Sequence, residues 1–129
     1  MEFLGVKFEK DMREIPTKSL AYVGDSVFEL FCRMNYSFNN KEVVAHVNAR
    51  AQAKYFEKIK DLLGEKEMAV ALRGRNLKSP RSKDPFYRKA TAFESVIGYL
   101  FLNGNMERLS KLLEICVNDR DDMNLKKRK

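Results

Sequence analysis

The chain has 129 residues, enough for one domain with a hydrophobic core, and its 44% apolar and 33% charged residues are those of an ordinary soluble globular protein. No stretch reaches membrane-spanning length, and the start Met1-Glu2-Phe3-Leu4-Gly5 has neither a basic n-region nor a long apolar run, so no membrane partner and no signal peptide are expected and the location reads as cytoplasmic. The net charge of +7 is unevenly placed: Arg73 to Lys89 carries seven bases against one acid, a net +6, the tail Lys126-Lys127-Arg128-Lys129 carries +4, and the remainder is −3.

In chain order the elements read as helices throughout. Strict alternation is absent, and no Asn-Gly or Asp-Gly joins two β-branched runs. Pro16 and Thr17 open the first helix, with Thr17 or Ser19 near its cap. Leu20, Val23, Val27, Leu30, Phe31 and Met34 then recur at three- and four-residue steps. Asn39-Asn40 breaks the pattern. A second helix is predicted from about Lys41 to Leu63, striped by Val43, Val47, Ala51, Tyr55 and Ile59 and ended by Gly64. A short helix from Glu65 to about Leu72 stops near Gly74. Residues 74–85 hold Gly74, Asn76, Ser79, Pro80, Ser82 and Pro85 and read as an exposed, basic, mobile loop. The next helix, about Phe86 to Asn103, is apolar nearly all round, which predicts burial in the core or at a subunit interface. Gly104 ends it, and a last helix spans Met106 to Val117. The whole is expected to be one domain, 1–129, with its core over about 17–117 and a basic tail over 118–129.

Cys32 and Cys116 fall in apolar helical pattern and read as core thiols. His46 has no second His or Cys to share a metal and reads as structural. The informative residues are two acids in apolar helical surroundings, Asp25 in Tyr22-Val23-Gly24-Asp25-Ser26-Val27 and Glu94 in Thr91-Ala92-Phe93-Glu94-Ser95-Val96-Ile97-Gly98. A buried carboxylate needs a basic partner or a metal ion to stay ionised. To share one site their helices must pack closely, and Gly24 and Gly98 permit that because neither has a Cβ. Carboxylate oxygens suit Mg²⁺, which takes one or two of them and keeps several waters. Such a site beside a phosphate-attracting segment fits phosphodiester hydrolysis. The alternative is that each acid is structural and pairs with an arginine such as Arg33 or Arg88. On spacing alone both readings stand.

The words around the acids narrow the choice. Tyr22-Val23-Gly24-Asp25-Ser26-Val27 resembles the Gly-Asp signature helix of the ribonuclease III family. Thr91-Ala92-Phe93-Glu94-Ser95-Val96-Ile97-Gly98 resembles that family's second acidic helix. Arg73-Gly74-Arg75-Asn76-Leu77-Lys78-Ser79 and Tyr87-Arg88-Lys89-Ala90 are similar to words of the Mini-ribonuclease III branch, which has the nuclease domain without a double-stranded-RNA-binding domain. The resemblance covers about Ser19 to Leu113.

It implies the all-α ribonuclease III endonuclease-domain fold, working as a homodimer. It also implies Mg²⁺-dependent cleavage of double-stranded RNA, with Mn²⁺ as a substitute ion, at the ends of precursor 23S ribosomal RNA. A ribosomal protein is a further candidate partner. Asp25 and Glu94 become the catalytic metal ligands. Arg73, Arg75, Asn76, Lys78, Arg81, Lys83 and Arg88 become the RNA-binding set. Larger family members carry further acids one turn from each catalytic one. This chain has Lys18, Ala21 and Thr91 there, as suits the smaller branch. Thr91 is read as a weak candidate for help through its hydroxyl, and Glu29 as structural or solvent-facing. Two rival readings remain: a non-catalytic double-stranded-RNA or ribosome-binding module on the same fold, and a basic helical interaction protein. The first conflicts with retention of both acids, and the second leaves the clustered charge unexplained.

Overall fold

The computed structural model describes residues 1–118, so the expected basic tail at Lys126 to Lys129 lies outside the described residues. The chain opens with an unanticipated hairpin of β1 (Glu2–Phe3) and β2 (Val6–Lys7), antiparallel, with Glu2 opposite Lys7 and Phe3 opposite Val6. Leu4 and Gly5 turn it at φ 51° and 81°. Its strands are too short to show an alternating pattern. Six helices follow: α1 (Thr17–Asn35), α2 (Asn40–Val47), α3 (Ala49–Ile59), α4 (Glu65–Arg75), α5 (Pro85–Leu102) and α6 (Met106–Val117).

The expected helix from Lys41 to Leu63 is in fact two helices and a 3₁₀ turn over Lys60–Leu62. The break is at Asn48, which is extended at φ −76° and ψ 160°. Its Oδ1 accepts from the Ala51 amide at 2.9 Å, capping α3, while its Nδ2 donates to the carbonyls of Val44 and Ala45 at 3.0 and 3.2 Å. An Asn that bonds its own neighbouring backbone competes with helix continuation. Gly64 begins α4 and does not end a helix there: its amide donates to Glu67 Oε1 at 2.8 Å. That carboxylate is also clamped by Arg108, at 2.9 and 3.1 Å. The short helix runs on through Gly74, because Gly74 is a packing position; a Cβ there would stand 2.4 Å from Ser95 Oγ. At α1 the cap position is taken by Pro16, and Thr17 and Ser19 lie inside the helix without capping it. Asp84 caps α5 by accepting from the Phe86 amide at 2.9 Å, with Pro85 in the first turn, where its missing N–H costs nothing.

The apolar girth of α5 is absorbed within the chain. α1, α3 and α4 pack around it, α6 adds a further contact, and Ala92, Phe93, Val96, Ile97 and Leu100 are buried. Phe93 meets Phe28 of α1 edge to face, centroids 5.0 Å apart and planes at 88°. Cys32 and Cys116 are free, buried thiols, and burial pushes both up to about 12. His46 is held in a ring stack, 4.3 Å from Tyr36 and 5.9 Å from Tyr55, with Nδ1 against the Tyr55 hydroxyl.

Candidate active site

The crossing of α1 and α5 builds the site. A Cβ on Gly24 would stand 1.7 Å from the Glu94 carbonyl oxygen, and one on Gly98 would stand 1.9 Å from the Leu20 carbonyl oxygen. Each glycine thus faces main chain of the other helix, at a separation no other residue allows. This contact fixes which side chains become neighbours. Asp25 follows Gly24 on α1, and Glu94 lies one turn before Gly98 on α5, so their carboxyls come together.

Their environments differ from the sequence expectation in one respect. Glu94 is half-buried, but Asp25 is exposed. Gly24 takes the inward-facing position at the crossing, and the next residue turns about 100° away from it, toward solvent. Burial, then the hydrogen bond and negative charge of Asp25, push Glu94 up to about 9. The amide of Gln52, on α3, works against that shift and favours the ionised carboxylate. Gln52 itself is 2% exposed, and its Nε2 has no partner of hydrogen-bonding geometry among the described residues.

Neither arginine serves these acids. Arg33 pairs with Glu29 at 3.3 Å, one turn away on the helix surface. Arg88 donates through Nε to the Arg75 carbonyl at 3.2 Å and through Nη2 to Asn76 Oδ1 at 3.5 Å. Thr91 is buried and donates its hydroxyl to the Tyr87 carbonyl at 2.9 Å. Ser95 does likewise to the Thr91 carbonyl at 2.7 Å.

The donor set suits a hard divalent cation. Two carboxyl groups face one another with an exposed edge, and burial together with the neighbouring Asp25 makes Glu94 resist ionising. The buried Gln52 amide lies beside Glu94, its Nε2 without a partner of hydrogen-bonding geometry among the described residues. Among the described residues no group of three or more His, Cys, Asp or Glu is assembled for a metal. A cation here would keep much of its hydration shell, as Mg²⁺ commonly does.

The basic residues lie along the end of α4 and the connection to α5. Arg73 and Arg75 are exposed on the last turn of α4, and Asn76 follows at its C-cap. Lys78, Arg81 and Lys83 are exposed on the connection. The segment is more structured than the expected mobile loop. Turn hydrogen bonds link Ser79 to Ser82 and Arg81 to Asp84, and Arg81 lies over the Tyr87 ring at 4.6 Å. Arg88, half-buried on α5, ties the segment back to the helix that carries Glu94, about 9 Å further along the axis. Gln52 was not singled out in the sequence. The stripe read there placed Ala51 and Tyr55 inward, whereas the buried face of α3 holds Gln52, Ala53, Tyr55, Phe56 and Ile59. A polar residue four and seven positions before Phe56 and Ile59 is the signal that could have found it.

A six-helix domain with facing carboxyls at a glycine crossing and a basic flank has the layout of a nuclease domain. The ribonuclease III domain family matches residues 18–105. The chain is similar to Mini-ribonuclease 3 of a Thermoanaerobacter species, 42% identical over 76% of this chain and 78% of the relative. It is also similar to Mini-ribonuclease 3 of Clostridium tetani, 38% identical over 90% of this chain and 86% of the relative. An X-ray crystal structure of a Fusobacterium nucleatum protein superposes with a TM-score of 0.77 and 33% identity, over 87% of this chain and 99% of that one. The chain belongs to the ribonuclease III family, in its Mini-ribonuclease III branch, and is an endoribonuclease.

Proposed function

We propose that Asp25 and Glu94 hold Mg²⁺ and that the protein cuts double-stranded RNA, maturing the ends of precursor 23S ribosomal RNA in the cytoplasm. The observation that carries the reading is the pairing of these two carboxyls by the Gly24–Gly98 crossing. Bound Mg²⁺ supplies an activated water and stabilises the leaving oxygen of the phosphodiester. Asp25 and Glu94 direct carboxylate oxygens at the cation. The exposed edge at Asp25 admits the RNA backbone. Arg73, Arg75, Asn76, Lys78, Arg81, Lys83 and Arg88 bind phosphates and lay the duplex across the acid pair. The choice of 23S precursor rests on the likeness to the Mini-ribonuclease III branch.

A homodimer completes this reading. Most of α5 is packed within the chain. Apolar side chains face outward on α1, where Tyr22, Leu30 and Met34 are 64%, 52% and 65% exposed. Beside them, Phe3, Val23, Val27 and Phe101 join Tyr22 and Leu30 in lining a groove suited to a second copy. A two-fold there brings a pair of sites to one duplex.

Asp25→Asn and Glu94→Gln each remove a ligand charge at nearly constant volume. With precursor 23S RNA and Mg²⁺, each is expected to lower the cleavage rate about a hundredfold or more while the fold is kept. Mapping the cut ends identifies the substrate. A variant that cuts near the wild-type rate removes that residue from the site.

A further inference from the structure

Gln52 is the one buried side-chain nitrogen or oxygen carrier without a hydrogen-bond partner among the described residues. It lies in the first turns of α3, which packs on α5, and only 2% of it is exposed. Its helix neighbours on the buried face are Ala53, Tyr55, Phe56 and Ile59. A Leu or Met would fill this place without stranding a donor. The native amide instead lies beside the Glu94 carboxyl on α5. Burying an amide donor is costly unless a partner arrives. Glu94, on the helix against which α3 packs, offers that partner, because a carboxyl oxygen is a ready acceptor.

We propose that Gln52 is a positioning residue for the acid pair: its Nε2 donates to a Glu94 carboxyl oxygen and fixes which oxygen faces a divalent cation. This rests on the reading of Asp25 and Glu94 as metal-holding residues. Groups that hold a metal ligand from behind commonly set affinity, and losing one costs about ten- to a hundredfold. Gln52 also ties a third helix, α3, to the chemistry.

The test needs no RNA. The full chain, wild type and Gln52→Met, Gln52→Leu and Glu94→Gln variants, is titrated with Mn²⁺, with free Mn²⁺ followed by electron paramagnetic resonance. Metal-free thermal unfolding is recorded on the same samples. The expected result is Mn²⁺ affinity about ten- to a hundredfold weaker in both Gln52 variants. Their metal-free melting temperature should equal or exceed that of wild type, because an unpartnered buried donor has been removed. Affinity within threefold of wild type in either folded Gln52 variant overturns the proposal. So does a lower melting temperature with metal affinity unchanged, since that is the mark of a packing role. If Glu94→Gln binds Mn²⁺ as tightly as wild type, the acid pair is not the metal site and the inference falls with it. If Glu94→Gln loses the ion and the Gln52 variants keep it, only the inference falls.

Discussion

Glu94 links the chemistry of the site to the stability of the fold. Its pKa is raised from 4.5 to about 9 by burial, then by the hydrogen bond and charge of Asp25. A raised folded-state value means that the native protein binds a proton the unfolded chain has lost. The contribution to stability is thus fully present below about 4.5 and declines as pH rises toward about 9. The metal-free protein should melt at lower temperature at pH 8 than at pH 5.5, and Glu94→Gln should flatten that slope. The buried cysteines add a similar loss only above their ordinary value of 9, so the measurement belongs below it. A wild-type slope that survives in Glu94→Gln would assign the effect elsewhere. The same proton must leave when a cation binds, so Mn²⁺ affinity should rise with pH by up to about tenfold per unit in this range. An affinity flat in pH would mean that Glu94 is already ionised. Asp25 and Glu94 stand out in the sequence because each sits in an apolar helical run within a turn of a glycine, and the structure brings their carboxyls together. Gln52 does not, because one glutamine in an amphipathic helix is ordinary until the packing shows which face is inside.

Among elements, the α1–α5 crossing carries most of the design. Gly24→Ala would drive a Cβ to within 1.7 Å of the Glu94 carbonyl, and Gly98→Ala would drive one to within 1.9 Å of the Leu20 carbonyl. Main chain cannot swing aside as a flexible side chain can, so the helices must separate. Each change is expected to cost at least about 2 kcal/mol, read by denaturant unfolding, and to lower cleavage more than global stability alone would, because it parts Asp25 from Glu94. A Gly24→Ala protein of wild-type stability and activity would mean that the helices can slide at no cost. The glycine pair was legible because close approach needs a missing Cβ on each helix. The break at Asn48 was not: the apolar stripe runs through it, and only the side chain's bonds to Val44, Ala45 and Ala51 show that the helix restarts. Gly64 and Gly74 read as stops by the usual rule for glycine near a helix end. One starts a helix and the other admits Ser95, because packing partners distant in sequence decide what a missing Cβ is for.

At the scale of the whole molecule, the proposed function gives two surfaces separate tasks. The α1 face of Tyr22, Leu30 and Met34 is apolar, and Leu30→Glu should turn a sedimenting dimer into a monomer at micromolar concentration if that face pairs two copies. On the same proposal the basic segment acts through charge. A-form RNA offers side chains little base reading in its narrow groove, so a duplex is gripped mainly through phosphates and its shape. The cations available for this, Arg73, Arg75, Lys78, Arg81 and Lys83, are exposed. Among these five, Arg81 meets an acid, Asp84, at a loose 3.9 Å. Each phosphate that a cation holds releases counterions, so affinity falls with salt on a log–log scale in proportion to the number of phosphates held. In a Glu94→Gln background, expected to bind without cutting, replacing these five residues with neutral ones should weaken duplex binding. The salt slope should flatten by up to about one unit for every phosphate no longer held. Folding should be untouched, since none of the five is buried and Arg88 keeps its ties to Arg75 and Asn76 through a backbone carbonyl and a side-chain amide. Removing Arg88 as well should cost both grip and the alignment of the segment with α5, lowering affinity further than its single charge accounts for. Equal slopes with and without the five cations would move the RNA footprint off this segment, even with the acid pair unchanged in its role.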